Sequence, residues 1–175
     1  MRFAYQLILL LLITVTSCSK EDEIDPQELQ DCILNVVLDS GDEEYNRYLK
    51  NKTLWDCQGV KTYSFINVNK GENCFNTEHL LNIEDNVIVD TQLINVNFSD
   101  DFCFFYSIDE IYLIIEAALD PDIEIFISES RMADVADIIE IEYDTIIGIP
   151  TKLYIDYLVG RADEEFEFEL REFEI

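Results

Sequence analysis

The chain has 175 residues, 38 of them acidic against 11 basic, and a net charge of −27 at neutral pH. That balance argues against a nucleic-acid partner, because phosphate binding depends on lysine and arginine displacing counterions; it also disfavours adhesion to an anionic membrane and favours a soluble monomer. Since 49% of the residues are hydrophobic, residues 26–175 suffice for one domain with its own core.

Arg2 supplies a positive end, Leu7 to Ile13 an unbroken apolar run, and Thr14 to Ser17 short side chains ahead of Cys18. This is the pattern of a secretion signal over residues 1–17. A spanning helix needs roughly 20 apolar residues to cross about 30 Å of hydrocarbon, and the run stops well short of that. Val15-Thr16-Ser17-Cys18 resembles the lipobox of bacterial lipoproteins, which implies that the Cys18 thiol carries lipid and becomes the first residue of the mature chain. Each buried methylene is worth about 0.8 kcal/mol, and two acyl chains hold firmly where one binds reversibly, so a multiply acylated Cys18 would stay in its membrane. The alternative is a cleaved soluble signal with an unrelated cysteine nearby. Ser19-Lys20-Glu21-Asp22-Glu23 resembles the short tag that sends lipoproteins of the Bacteroidota to the outer face of the outer membrane; a plain acidic tether over residues 18–25 would have the same composition. Removal of residues 1–17 takes Arg2 from the basic residues and nothing from the acidic ones, leaving a net charge of about −28.

With Cys18 lipidated, Cys32, Cys57, Cys74 and Cys103 remain, an even number in a compartment that permits oxidation. Two disulfides are expected. Four cysteines allow three connectivities, among which Cys74 with Cys103 and Cys32 with Cys57 is preferred; free buried thiols are the alternative. No two of them stand at the spacing of a structural zinc site, and no CxxC redox pair is present.

Asp25-Pro26 reads as a helix start, with proline in the first turn where its missing N–H does no harm. Leu29, Cys32 or Ile33, Val36 and Val37 follow at helical spacing until Ser40-Gly41. A second helix is expected from about Asp42 to Trp55, with acids in its first turn, Tyr45, Tyr48 and Leu49 along one side, and Trp55 as a core anchor. After Gly59 the period becomes two: Tyr63, Phe65 and Val68 alternate with polar residues up to the Asn69-Lys70-Gly71 turn, which is a strand. Leu80 to Ile83 and Val87 to Val89 flank Glu84-Asp85-Asn86 as a hairpin.

Ser107-Ile108-Asp109-Glu110 is a capping box, followed by Ile108, Ile111, Tyr112, Ile115 and Leu119 as one apolar stripe that Asp120-Pro121 ends. Between Asp122 and Asp137 the pattern is mixed: Ile123 to Ile127 suits a strand, and Arg131 to Ala136 suits a helical turn. The last third alternates regularly. Ile139, Ile141 and Tyr143 share a face against Glu140 and Glu142; Leu153, Ile155 and Tyr157 share one against Lys152, Tyr154 and Asp156; Phe166, Phe168 and Leu170 share one against Glu165, Glu167 and Glu169. Phe173 and Ile175 fall out of phase, which requires a bulge near Arg171 or Glu172. One apolar and one wet face per strand mean an antiparallel sheet covered on a single side. The expected class is α+β, with five to six antiparallel strands covered on one face by helices.

From about Trp55 to Phe173 the chain is similar to a family of secreted proteins and lipoproteins of bacteria known only as a domain of unknown function. The likeness rests on the Trp55 helix leading into Tyr63-Ser64-Phe65, on Cys74, on the Ser107 to Glu110 helix start, and on Tyr143-Asp144-Thr145-Ile146-Ile147-Gly148-Ile149-Pro150-Thr151, followed by Ile155-Asp156 and Asp163-Glu164-Glu165. The resemblance implies no activity. Gly148 takes positive φ without penalty, and Pro150 lacks the N–H of a central ladder and belongs at a strand start. Tyr143, Asp144, Gly148, Pro150 and Asp156 are therefore read as a structural turn motif.

Chemistry is sparse. His79 is the lone histidine, with Glu78 beside it and no HExxH pattern, and reads as a surface or edge residue. No nucleophile elbow, Walker loop or dinucleotide fingerprint is present, so neither cofactor nor metal is expected. Asp144, Asp156, Asp163 and Glu164 lie near turns, and oxygen ligands suit calcium, but the EF-hand spacing is absent. The expectation is a non-enzymatic, lipid-anchored module of the cell envelope that presents an acidic sheet to a partner; the rival is a calcium-dependent binder or a carboxylate-based envelope enzyme.

Overall fold

Two antiparallel meanders, one from the middle of the chain and one from its end, join along their inner strands into a six-stranded sheet. The computed structural model describes residues 30–32, 42–70, 77–95, 103, 105–120, 125–127, 130–132, 136–157 and 166–175. In chain order these hold helix α1 (Glu43–Gln58), strands β1 (Tyr63–Asn69), β2 (Thr77–Glu84) and β3 (Val87–Asn95), helix α2 (Ile108–Leu119), strands β4 (Ile125–Ile127) and β5 (Ser130–Met132), and finally β6 (Ala136–Asp144), β7 (Ile149–Tyr157) and β8 (Phe166–Glu174). The sheet order is β3-β2-β1-β8-β7-β6, while β4 and β5 pair only with each other. This is the expected α+β arrangement. Among the described residues no helix is long and apolar enough to cross a membrane.

Helices α1 and α2 begin where the sequence places their caps. Asp42 accepts the N–H groups of Glu44 and Tyr45 at 2.9 and 3.0 Å, and Gly59 ends α1 in the left-handed region at φ +62°. Ser107 and Glu110 make both bonds of the capping box, at 3.3 and 2.7 Å. The Ile108 N–H, another donor left over at that helix start, is satisfied by the Tyr63 hydroxyl at 2.9 Å. Tyr48 and Trp55 of α1 and Ile108, Ile111, Tyr112 and Ile115 of α2 are buried against Phe65, Leu81, Leu153 and Phe168 of the sheet. Each such aliphatic or phenylalanine side chain contributes about 1.5–3 kcal/mol by leaving water.

Three strand details differ from simple alternation. Val68 is buried, but one residue out of phase with Tyr63 and Phe65; it pairs with Glu78 and Glu169 and so lies on their face of the sheet, opposite the helices. Asp85 and Asn86 turn the β2–β3 hairpin, both at positive φ, the requirement of a two-residue type I′ loop. In β8 the register against β1 slips between Ser64 and Ile66, so that Phe65 faces both Glu172 and Phe173. Glu172 takes φ +49°, and the extra residue returns Phe173 to the core side, with its ring 5.6 Å from Tyr63 and 6.0 Å from Trp55. The expected bulge is there.

The helical turn expected from Arg131 to Ala136 gives way to strand at both ends, while residues 133–135 lie outside the described residues. Arg131 and Met132 pair with Phe126 and Ile125 instead, and Ala136 opens β6. A hairpin partner five to seven residues upstream supplies the backbone bonds, and so overrides local preference.

Candidate functional site

The Tyr143 to Thr151 segment forms the turn between β6 and β7. The Asp144 carboxylate accepts the N–H groups of Ile146 and Ile147 at 2.8 and 3.2 Å, and its carbonyl accepts that of Gly148 at 2.7 Å. Gly148 sits at φ +78°, directly beneath α1, where a Cβ would stand 2.9 Å from Leu54 Cβ and Trp55 N and closer still to the Asn51 carbonyl. Two side chains from the helices finish the clamp: Tyr112 donates its hydroxyl to the Gly148 carbonyl, and Gln58 donates its amide to that of Ile147. Pro150 is the second residue of β7 and lies opposite Tyr143, at a register slip where the ladder is interrupted anyway. Asp156 lies at the far end of β7, opposite Ile138, whereas Asp144 pairs with Ile149. Seven residues of strand put the two carboxylates roughly 23 Å apart along β7.

The face of the sheet turned away from the helices is charged. Lys152 bridges to Glu142 across strands at 2.9 Å, Lys70 reaches Glu169 at 2.9 Å and Glu167 at 3.1 Å, and Arg171 joins Glu169 at 2.7 Å and Glu78 at 3.2 Å. Hydrogen bonds from Arg171 and Lys70 hold the Glu169 carboxyl below its usual range. At the β6 end an open depression of about 370 Å³ is lined by Glu140, Glu142, Lys152, Tyr154 and Glu167 and bounded by Glu44 and Arg47 of α1. Its side chains carry four negative charges and two positive ones, so its field favours a cationic group.

Arg47 also seals the sheet edge. Its guanidinium donates to the Ile141 carbonyl of β6, pairs with Glu44 at 3.0 Å and lies 5.5 Å above the Tyr143 ring, which removes one unpaired edge acceptor from solvent. Beside this seal the Tyr143 hydroxyl and the Glu44 Oε1 are buried without a hydrogen-bond partner, while the Tyr48 hydroxyl meets the Glu116 carboxylate of α2.

Residues 47–175, which include the hairpin clamp and the whole sheet, match the family of unknown function DUF6174. The chain belongs to that family. The match begins within α1, at the residue that seals β6, and runs to the end of the bulged β8. No curated protein and no solved structure matches the chain significantly.

The remaining sequence candidates are distributed as follows. Cys32 and Cys57 form a disulfide with Cα atoms 6.0 Å apart, tying the helical residues 30–32 to the last turn of α1. Cys103 is disulfide-bonded too; Cys74, Cys18 with its leader and tether, Asp163 and Glu164 lie outside the described residues. His79 departs from the surface reading. It shares the parity of Leu81 and Ile83, so its ring faces inward against Phe105 at 4.6 Å, its Nδ1 is buried without a partner, and burial pushes its pKa below the ordinary value. Among the described residues no three His, Cys, Asp or Glu side chains converge as a metal site. Sequence reasoning missed Glu44, Arg47, Tyr48 and Tyr143 as a cluster. The one available signal was the helical spacing of Glu44 and Tyr48, which puts both on one face of α1; nothing local links them to Tyr143.

Proposed function

We propose that this protein is a lipid-anchored, non-enzymatic binding module of the cell envelope, displayed on the outer membrane surface as a monomer. The observation that supports binding is that, among the described residues, α1 and α2 pack on one face of the sheet while the other carries acidic side chains, with a cation-favouring depression at its β6 end. Residues 1–17 as leader, Cys18 as the lipidated residue and Ser19 to Glu23 as a surface tag supply the mooring. A single domain tethered by residues 18–25 would present that face to a basic macromolecular partner. Isolated surface ion pairs contribute about 0–1 kcal/mol each, so the charges of that face contribute solubility and encounter rate more than fold stability.

The test is protease or antibody labelling of intact cells, combined with intact-mass analysis of the protein from its host. Acylated Cys18 at the mature N-terminus and labelling without membrane disruption are expected. An unmodified thiol, or protection until the outer membrane is opened, overturns the reading. The calcium alternative gains nothing from the turn residues, because Asp144 is engaged by backbone N–H groups and Asp156 is at the other end of its strand.

A further inference from the structure

The most exposed large hydrophobic side chains among the described residues are Ile146 at 81%, Ile175 at 73% and Val87 at 62%. Apolar residues scattered singly over a surface call for no explanation, but these share one end of the sheet. Val87 opens β3 opposite Glu84, beside the start of β1, where Tyr63 pairs with Ile83. Ile175 follows Glu174, which pairs with Ser64 of β1. Ile146 lies in the β6–β7 turn, and the register of β7 on β8, with Lys152 opposite Glu169, brings that turn to the same end. By sheet order Val87 and Ile146 stand at the two sides with Ile175 between them, a row of roughly 20 Å at about 4.8 Å per strand.

The backbone holds these tips in place. Asp144 accepts the Ile146 N–H at 2.8 Å while Ile147 packs against the core. The Asn86 N–H donates to the Lys61 carbonyl at 3.1 Å, which ties the β2–β3 hairpin to the approach to β1. Tips ordered beforehand lose little further freedom on binding.

The same end carries the chain that leads back to Cys18. Gln58, at the end of α1, donates to the Ile147 carbonyl of the β6–β7 turn, and the Cys32–Cys57 disulfide ties residues 30–32 to that last helical turn. Residues 18–29 can span at most about 40 Å, so a lipid on Cys18 moors the domain by this end.

We propose that Val87, Ile146 and Ile175 dip into the zwitterionic lipid surface that holds the anchor, so that the domain stands on this end with its strands rising from the membrane. The proposal rests on the reading of Cys18 as lipidated. Interfacial contacts of this kind reach about 5–10 Å into the headgroup boundary. Three tips are too few to recruit an unmoored chain, whereas the anchor makes their insertion intramolecular and raises their effective concentration to about the millimolar range. Glu84, Asp85 and Glu174 are exposed around the tips, so an anionic surface is repelled and a zwitterionic one is not. An end-on stance also keeps the acidic face of the sheet clear of the lipid.

The experiment uses the protein purified as its host processes it, in phosphatidylcholine vesicles whose brominated acyl chains quench any tryptophan that enters the bilayer. Val87→Trp, Ile146→Trp and Ile175→Trp report on the tips. Ile94→Trp, also exposed but near the opposite end of β3, is the control, and the buried Trp55 is a background common to all four. Quenching of the added tryptophan should be several-fold stronger at the tips than at the control. Flotation with the vesicles reports the anchor separately: a chain that does not float lacks the lipid, and both readings fall. A chain that floats with its tips quenched no more than Ile94→Trp keeps the anchor and overturns the docking. Tip emission that shifts to the blue without quenching assigns the tips to a second copy or to another protein, and overturns the docking as well.

Discussion

Replacing Gly148 by alanine separates backbone strain from steric overlap at the point where helix and hairpin are clamped. A non-glycine residue in the left-handed region costs roughly 1–2 kcal/mol. Here the added methyl would also stand 2.9 Å from Leu54 Cβ and Trp55 N, forcing α1 off the turn, and such overpacking costs typically about 1–3 kcal/mol more. The expected loss is therefore about 2–5 kcal/mol, a large share of a stability of about 5–15 kcal/mol. Gly59→Ala is the control: φ is again positive, at +62°, but nothing lies within 4 Å of the added Cβ, so only the conformational cost of about 1–2 kcal/mol should appear. Urea unfolding of the two variants measures both. Equal losses at the two positions, or a loss below about 1 kcal/mol at Gly148, would refute the clamp.

Cys57→Ser opens a loop of sequence separation 25 and is expected to cost about 3.5 kcal/mol by the chain-entropy relation; an unchanged urea midpoint would mean that the helical residues around Cys32 are not held to α1. Ser107→Ala removes the side-chain cap of α2 and should cost about 1 kcal/mol, read in the same assay, with no loss meaning that Tyr63 alone secures that helix end. His79 has a folded pKa lowered by burial, so the fold prefers the neutral ring: stability is full above the unfolded value near 6.5 and declines as pH falls below it, until the lower folded pKa is passed. Melting temperatures between pH 8 and pH 5 should show this decline, His79→Gln should flatten it, and an identical slope in that variant would assign the effect to other groups.

The elements legible in the sequence were those whose signals are local. The capping box at Ser107, the acids at the start of α1, the positive-φ pair Asp85-Asn86 and the two-residue period of β6, β7 and β8 each carry their cause within a few residues. Even the β8 bulge could be read, because Phe173 stands an odd number of residues from Leu170 and could reach the core only through an extra residue. What could not be read depended on partners far along the chain. The seal that Arg47 makes on β6 is set by sheet order, which alternation does not encode; the Arg131–Phe126 pairing and the inward parity of His79 are local, but the mixed patterns around them obscured both. The tyrosine and glutamate cluster is the extreme case, since Tyr143 reaches its neighbours from almost a hundred residues downstream.

A chain this acidic resists its own compaction through mutual repulsion, and its carboxylates look alike until the fold divides them. Asp42, Glu110 and Asp144 answer backbone N–H groups at helix and turn starts, where a negative charge is favourable. Glu142, Glu167 and Glu169 lie on the face opposite α1 and α2 and share a few cations. Asp109 is drawn inward but meets the Trp55 indole N–H at 2.8 Å. Glu44 fits none of these groups: one oxygen holds Arg47, and the other is the single carboxylate oxygen among the described residues that is buried with nothing to accept. A chain with so many acids could place any of them in water at no cost. Glu44 instead stays beside Arg47, whose guanidinium also donates to the Ile141 carbonyl and lies over the Tyr143 ring, so that acid is accounted for by the arginine it holds on the β6 edge.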